Sequence, residues 1–346
     1  MENSASPLVS IGVPVYNGEA GVERALQSLL SQDYANLEIV ISDNGSTDGT
    51  QRICEEFSRR DRRVKYYRSD RNMGVSWKFN NAFELSTGEY FMWAAHDDVR
   101  HPSFVTACVL RLQECPGAVL CQAHTAMFID GRQQQLCTAH LNSFDGVAGI
   151  VARYNETLTR LPATAIYGLY RSSAVRKTRL FERHIATDIA FVQELSIHGD
   201  FVQVPAVLFT YVGRRQWNTV DEDYRAVHGG AKKPIWYLPF VVLFLSHLRR
   251  IAGSPLDLAT KLRLCSVLSR HELRRLALKS GIKLAGRICP KRRREKFGSA
   301  VYYRWLHSAN VTVCSRELFF ERVIKPTLGW WKRDQVSVER YPSATQ

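Results

Sequence analysis

Residues 39–50 read Ile-Val-Ile-Ser-Asp-Asn-Gly-Ser-Thr-Asp-Gly-Thr, a β-type apolar run that ends abruptly in a turn-rich polar cluster. The same pairing occurs upstream, where Leu8–Val13 leads into Pro14-Val15-Tyr16-Asn17. It occurs again downstream, where Glu89–Ala94 leads into His96-Asp97-Asp98. Alternation and β-branched residues mark these runs as strands. In a parallel sheet all three clusters gather at one edge, outside the carboxyl ends of the strands, where open α/β sheets bind their ligands. Carboxylates converging there point to a divalent cation and a nucleotide.

Helical periodicity fills the gaps between these strands. Glu19–Gln32 places Val22, Leu26, Leu29 and Leu30 on one face, and a helix capped by Ser46 or Thr47 runs to about Arg60. A strand over Val64–Arg68 and a helix over about Val75–Ser86 follow, and Pro102 opens another helix through Glu114. This rhythm predicts an α/β fold with a mostly parallel sheet flanked by helices. Residues 118–130 add strand character, and 131–165 carry no readable pattern. Asp188–Gly199 reads as a helix and Phe201–Tyr211 as a strand.

Charge divides the chain of 346 residues. Residues 231–346 hold 24 Lys+Arg against 7 Asp+Glu, whereas residues 1–230 hold 23 against 26, so the net +14 belongs to the C-terminal third. Such asymmetry predicts a region that meets an anionic surface. The eight cysteines are scattered without a C-x-x-C pair, which argues against a zinc site or a disulfide framework and for a reducing, cytoplasmic setting. Met1–Pro7 lacks the features of a signal peptide.

A dinucleotide-binding fold needs G-x-G-x-x-G at the first turn, and Gly12-Val13-Pro14-Val15-Tyr16-Asn17-Gly18 does not supply it. Pro14 also lacks the backbone N–H that a pyrophosphate wants, and a nucleotidyltransferase of similar fold would carry a basic Gly-rich loop here. Asp43 reads in two ways: as an acceptor for a base or ribose, or as the head of an Asx turn with Ser46. Asp97 and Asp98, adjacent after an apolar strand, read as ligands of Mg²⁺ or Mn²⁺ or as solvated loop acids.

Taken together, SIGVPVYNGE, IVISDNGSTDGT, RNMGVSWKFNNAFELSTGEYFMWAAHDD and TDIAFVQELSIHGDFVQVPAVLFTY resemble the family-2 inverting glycosyltransferases of GT-A fold, from about Val9 to Tyr211. The resemblance implies a nucleotide-sugar donor, UDP- or dTDP-linked, and a divalent cation. It implies that Pro14, Tyr16, Asn17 and Glu19 line the donor pocket, that Asp43 holds the base, and that Asn72 and Gly74 border the nucleotide beside Asp70 and Arg71. Asp97 matches the metal-binding end of the D-x-D element, Asp98 follows it, and Asp188 falls at the catalytic base. Two positions depart from the pattern: Ala95 stands for the first acid of D-x-D, and Thr187 for the usual Glu before the base. They motivate a rival reading, a sugar-nucleotide-binding scaffold. The expected reaction is transfer of one sugar to a hydroxyl of a glycan or lipid-linked glycan in cell-surface polysaccharide synthesis.

These readings divide the chain into a catalytic domain over 1–215, with nucleotide binding in 8–100 and the acceptor side in 101–215, and a basic helical region over 216–346. The uncharged run Pro234–Leu248 is 15 residues, short of the roughly 20 that span a bilayer, and Pro239 interrupts it. Leu256–Ile288 mixes apolar and basic residues at helical spacing, and Lys291–Arg294 adds a basic cluster. Contact with an anionic membrane at its inner face and a solvated helical subdomain both fit. Nucleic acid is disfavoured because no binding module accompanies the charge. Arg214 and Arg215 are candidates to reach a diphosphate, and Trp217 to stack on an acceptor sugar.

Overall fold

The computed structural model describes residues 6–129, 147, 149–160, 163–213 and 219–287. Arg214–Trp217 and Lys291–Arg294 lie outside them. The strands are β1 (Val9–Val15), β2 (Leu37–Asp43), β3 (Val64–Arg68), β4 (Tyr90–Trp93), β5 (Val99–Arg100), β6 (Ala118–Ile129), β7 (Leu169–Arg171) and β8 (Asp200–Gly213). They form one eight-stranded sheet in the order β3-β2-β1-β4-β7-β6-β8-β5. β3, β2, β1 and β4 are mutually parallel, as their buried runs predict. β7 then runs antiparallel between β4 and β6, β8 lies parallel to β6, and β5 pairs antiparallel with β8.

Each strand contributes to two cores by alternation. Tyr90 and Met92 face α1 (Val22–Leu30), α2 (Thr50–Arg60) and α4 (Phe104–Glu114), together with Val9, Ile11, Val13 and Val15. Phe91 and Trp93 face α3 (Val75–Glu84) and α7 (Thr187–Leu195). Trp93 centres that second core, edge-on to Phe91, Tyr170, Phe181 and Phe191, with its indole N–H donated to the Phe79 carbonyl at 2.9 Å. A β-carbon on Gly12 of β1 would stand 3.0 Å from Ala82 Cβ, so α3 lies tight on the sheet.

Three local expectations change. α2 starts at Thr50 because Asp48 receives the Thr50 N–H and hydroxyl, leaving Ser46 and Thr47 to bond elsewhere. Pro239 does not interrupt a helix; it occupies the first turn of α9 (Pro239–Gly253), where its missing N–H costs nothing. Residues 150–160 form α5 (Ile150–Arg160). α6 (Ser172–Val175) and α8 (Val220–Val227) are short, and α10 (Leu258–Arg287) is the longest described helix.

The helices after residue 216 are packed into the fold. Ile251, Leu264, Val267 and Leu268 share a core with Tyr154, Leu158 and Ile197. Arg250 of α9, 1% exposed at its side chain, pairs with Glu194 of α7 and lies 3.1 Å from Glu182 Oε2. Among the described residues no helix is long and apolar enough to cross a membrane.

Candidate active site

The three polar clusters do converge at the carboxyl edge. The loop after β1 is sewn to the loop after β2: Asn17 N–H donates to Ser46 Oγ at 2.9 Å, and Thr47 N–H to Asn17 Oδ1 at 2.9 Å. Gly49 N–H donates to Glu19 Oε2 at 3.0 Å. Pro14 is buried, Tyr16 half-buried, and Asn17 and Glu19 exposed at the rim. Asn17 takes a left-handed φ of 50°, which these bonds hold in place.

Asp43 is a correction. Its carboxylate is 0% exposed and its oxygens are committed internally: Oδ1 accepts from Ser46 N–H and Oγ, and Oδ2 from Tyr66 OH at 2.7 Å, with Arg68 Nε 3.6 Å away. Of the two readings open in the sequence, the Asx turn is the one the geometry takes. Asp43 braces the loop, with Oδ1 taken twice by Ser46 and Oδ2 once by Tyr66. Its neighbour Asn44 reaches across instead, donating to Asn72 Oδ1 and the Gly74 carbonyl and accepting from Met73 N–H. Gly74 caps α3 at φ 93°, ψ 165°, a region essentially reserved for glycine, and a β-carbon there would meet the Val227 carbonyl at 2.2 Å. The C-terminal end of α8 thus walls the carboxyl edge beside Gly74, a contribution from the C-terminal region that local sequence pattern does not announce.

Asp97 is half-buried; its carbonyl accepts from Arg24 Nη2 at 2.9 Å, and its backbone presses on Gly21. Asp98 turns the other way. It is 3% exposed, its Oδ1 accepts the Val212 N–H at 2.9 Å, and burial pushes its carboxyl up to about 7 against the pull of Arg100. That bond ties the loop after β4 to β8, while Asp98 Oδ2 stays buried without a partner among the described residues. Among the described residues no cluster of three or more His, Cys, Asp or Glu side chains is placed to hold a metal. The carboxylate oxygens of Asp97 and the unpartnered Oδ2 of Asp98 suit a cation whose other ligands are substrate phosphates and water.

Asp188, half-buried in the first turn of α7, shares one electrostatic neighbourhood with Asp97 and Asp98. Burial first, and then these carboxylates, hold the Tyr167 and Tyr211 hydroxyls protonated, Tyr211 at about 12. A carboxylate near a helix N-terminus is stabilised in its charged form. Ala186, directly before α7, takes a left-handed φ of 61°, and no side chain caps the helix. Thr187 is 3% exposed, and its hydroxyl has no partner among the described residues.

The sequence reading passed over Lys78. It lies on the sheet-facing side of α3, 9% exposed, and burial pushes its ammonium down to about 8 while Asp97 and Asp43 pull it back up. A lysine at a position that packing reserves for apolar residues is the signal that was available.

This architecture, a mostly parallel α/β sheet with its polar loops gathered at the carboxyl edge, is one that comparison with known proteins assigns to a family. The model of glycosyl transferase family 2 matches residues 10–184, and the chain belongs to that family. An uncharacterized glycosyltransferase of Rickettsia typhi is 38% identical over 102 residues, 30% of this chain and 31% of that one. Another from Haemophilus influenzae is 36% identical over 114 residues, 33% and 35% of the two chains. The chain thus spans about a third of the length of the curated relatives it matches. In fold it is similar to residues 1–349 of S. aureus TarS in complex with UDP, with TM-score 0.56 and 19% identity over 76% of this chain and 71% of that one. It is also similar to the mannosyltransferase PcManGT of Pyrobaculum calidifontis, in complex with GDP-Man and Mn²⁺, with TM-score 0.50 and 16% identity over 88% of each chain.

Proposed function

We propose that this protein transfers a sugar, with inversion, from a nucleoside-diphosphate donor to a hydroxyl of a glycan or lipid-linked glycan in cell-surface polysaccharide synthesis. The observation that carries the reading is the match of residues 10–184 to glycosyl transferase family 2, with Asp97 in the loop after β4 and Asp188 in the first turn of α7. Asp188 takes the proton of the acceptor hydroxyl, whose oxygen attacks the anomeric carbon. The bond from that carbon to the β-phosphate oxygen breaks, and the nucleoside diphosphate leaves with the electron pair. General-base assistance of this kind contributes on the order of 10²–10⁴-fold. A divalent cation, Mn²⁺ or Mg²⁺, would be held by Asp97 and would offset charge on the diphosphate. The complexes of structural neighbours with UDP and with GDP-Man support a nucleotide donor; UDP- and dTDP-sugars head the list to be tried.

The test is turnover of Asp188→Asn beside its donor binding. Lost transfer with unchanged binding of UDP or dTDP, seen as an equal thermal shift, is the expected result. Unchanged transfer removes the base assignment, and absence of any nucleotide shift in the wild type favours a scaffold, with Ala95 and Thr187 as its signature.

The partner surface belongs to the same reading. At 100° per residue, Leu258, Leu262, Leu273 and Leu276 fall within an arc of about 60° on α10, and all are more than half exposed. Arg263, Arg270 and Arg274 form the adjacent stripe and line a cavity of about 900 Å³ between α5 and α10. An apolar stripe beside an arginine stripe suits the interface of an anionic membrane and supports a reading in which the enzyme works at the inner face on lipid-linked acceptors. Flotation of the full chain with phosphatidylglycerol vesicles but not with phosphatidylcholine vesicles is expected, and its persistence in an R263E/R270E/R274E variant overturns this surface.

A further inference from the structure

α3 begins at the carboxyl edge of the sheet, where Asn44 bonds the Gly74 carbonyl, and runs back to the other edge, where Gly88 N–H bonds Ser10 Oγ at the start of β1. Ala82 and Asn81 identify its sheet-facing side: Ala82 packs over Gly12, and Asn81 donates to Ser42 Oγ at 2.9 Å. Lys78 stands one turn before Ala82 on that same side. Helical side chains lean toward the helix N-terminus, so the Lys78 stem is directed along the sheet toward the carboxyl edge. That edge carries Pro14, Gly74 and Asp97.

A buried lysine with a structural role is normally paired. Lys78 makes no hydrogen bond or ion pair with any described residue, although 91% of it is covered. The charged groups that act on it are Asp97, in the loop after β4, and Asp43, at the end of β2. Asp43 is already satisfied by Ser46, Tyr66 and Arg68, so it does not claim the ammonium. Methionine would fill the same volume without the desolvation cost of a charge. A residue kept against stability in this way marks function.

We infer that Lys78 is a fixed cation of the donor site, contacting the diphosphate of the bound nucleotide and supplying positive charge on the side where Ala95 leaves the acidic element incomplete. The inference rests on the nucleotide-donor reading above. Lys78 then meets charge that the nucleoside lacks, so its contribution is confined to the diphosphate. Because the ammonium is built into α3, part of the donor affinity persists when divalent cations are removed.

The experiment is calorimetric titration of the full chain with UDP, dTDP and GDP, and with the nucleoside of the tightest binder, in EDTA and in Mn²⁺. Wild type is expected to bind that nucleoside diphosphate measurably in EDTA. Lys78→Met should weaken it tenfold or more in both buffers, leave the nucleoside within twofold, and melt at the same or a higher temperature. Lys78→Gln, which keeps a polar N–H donor and loses the charge, should behave likewise. Equal losses for nucleotide and nucleoside, or no loss for either, overturn the role of Lys78 while leaving the donor reading intact. A wild type that binds none of the three nucleoside diphosphates in either buffer overturns both.

Discussion

Arg250→Met is expected to destabilise the protein by about 3–5 kcal/mol, the usual result of leaving one member of a buried ion pair alone. The native guanidinium pairs with Glu194, donates to the Leu180 carbonyl at 2.9 Å and to Ser246 Oγ at 3.2 Å, and lies 3.1 Å from Glu182 Oε2. Methionine preserves the stem's apolar contacts but satisfies none of these acceptors. Glu194 is the principal loser: its side chain is 6% exposed, and burial already raises its carboxyl despite Arg250. For a folded unit of this size each kcal/mol moves the melting temperature by roughly 2–4 °C, so a fall of about 10 °C is expected. Thermal unfolding by circular dichroism at neutral pH reads it. Glu194→Gln in the same chain should relieve part of the loss, giving a coupling energy of at least about 1 kcal/mol in a double-mutant cycle. A melting shift below about 2 °C, or strictly additive variants, would refute the argument that α9 is locked to α7 through this charge.

Gly74→Ala demands a backbone shift, because the new methyl group meets the Val227 carbonyl at 2.2 Å in a glycine-only conformation. We expect a loss of roughly 2 kcal/mol or more and a weakened thermal response to UDP or dTDP; an unchanged melting curve and response would show that the wall formed by Val227 is dispensable. Acid should unfold the protein in a defined window. Burial works against ionised Glu38, yet hydrogen bonds from Lys65, Ser10 and Thr87 outweigh it and hold the carboxyl at about 2. Glu182 is held at about 2 by His184 first, with Ser246 and Arg250 assisting against burial. Both values are depressed on folding, so this stability is present above about pH 4.5 and drains away as pH falls toward 2, on the order of 3 kcal/mol each at most. Because buried Asp98, raised to about 7, takes up its proton in the folded state first, urea midpoints that hold or rise from pH 7 to 5 and fall below about pH 4 are the expected record, and a profile with no fall down to pH 3 contradicts it.

The parallel half of the fold was legible because β1, β2 and β4 are buried on both faces and each is followed by turn chemistry at a fixed edge. β6, β7 and β8 were less so, since the pairing of Ala118–Ile129 with Asp200–Gly213 spans some eighty residues and leaves no local trace. The same division holds within the site. Asn17, Glu19, Asn72, Gly74, Asp97 and Asp188 fall at the edge or beside the tyrosine pair, but spacing alone does not say where a carboxylate points. Asp43 and Asp98 face inward to backbone and side-chain donors. Lys78 escaped notice because its neighbours, Ser76, Phe79 and Asn80, make an ordinary helical pattern around it.

Strain shows how the site is held. The non-glycine residues in the left-handed region, among those described, are Asn17, Leu180 and Ala186. Each such residue costs on the order of 1 kcal/mol or more and persists only where its surroundings over-determine it. Asn17 is fixed by Ser46 and Thr47. Leu180 donates to Thr178 Oγ1 at 3.2 Å, and its carbonyl is held by Arg250. Ala186 accepts from Ala190 N–H, and it follows Ile185, whose N–H donates to Tyr237 OH at 3.3 Å. Two of the three strained residues therefore lie in the segment that leads into α7 and are tied to the region after residue 216, Leu180 by a donor from Arg250 and Ala186 through the Ile185 N–H that Tyr237 accepts. The region after residue 216 is accordingly part of what sets the position of α7 and of Asp188 in its first turn.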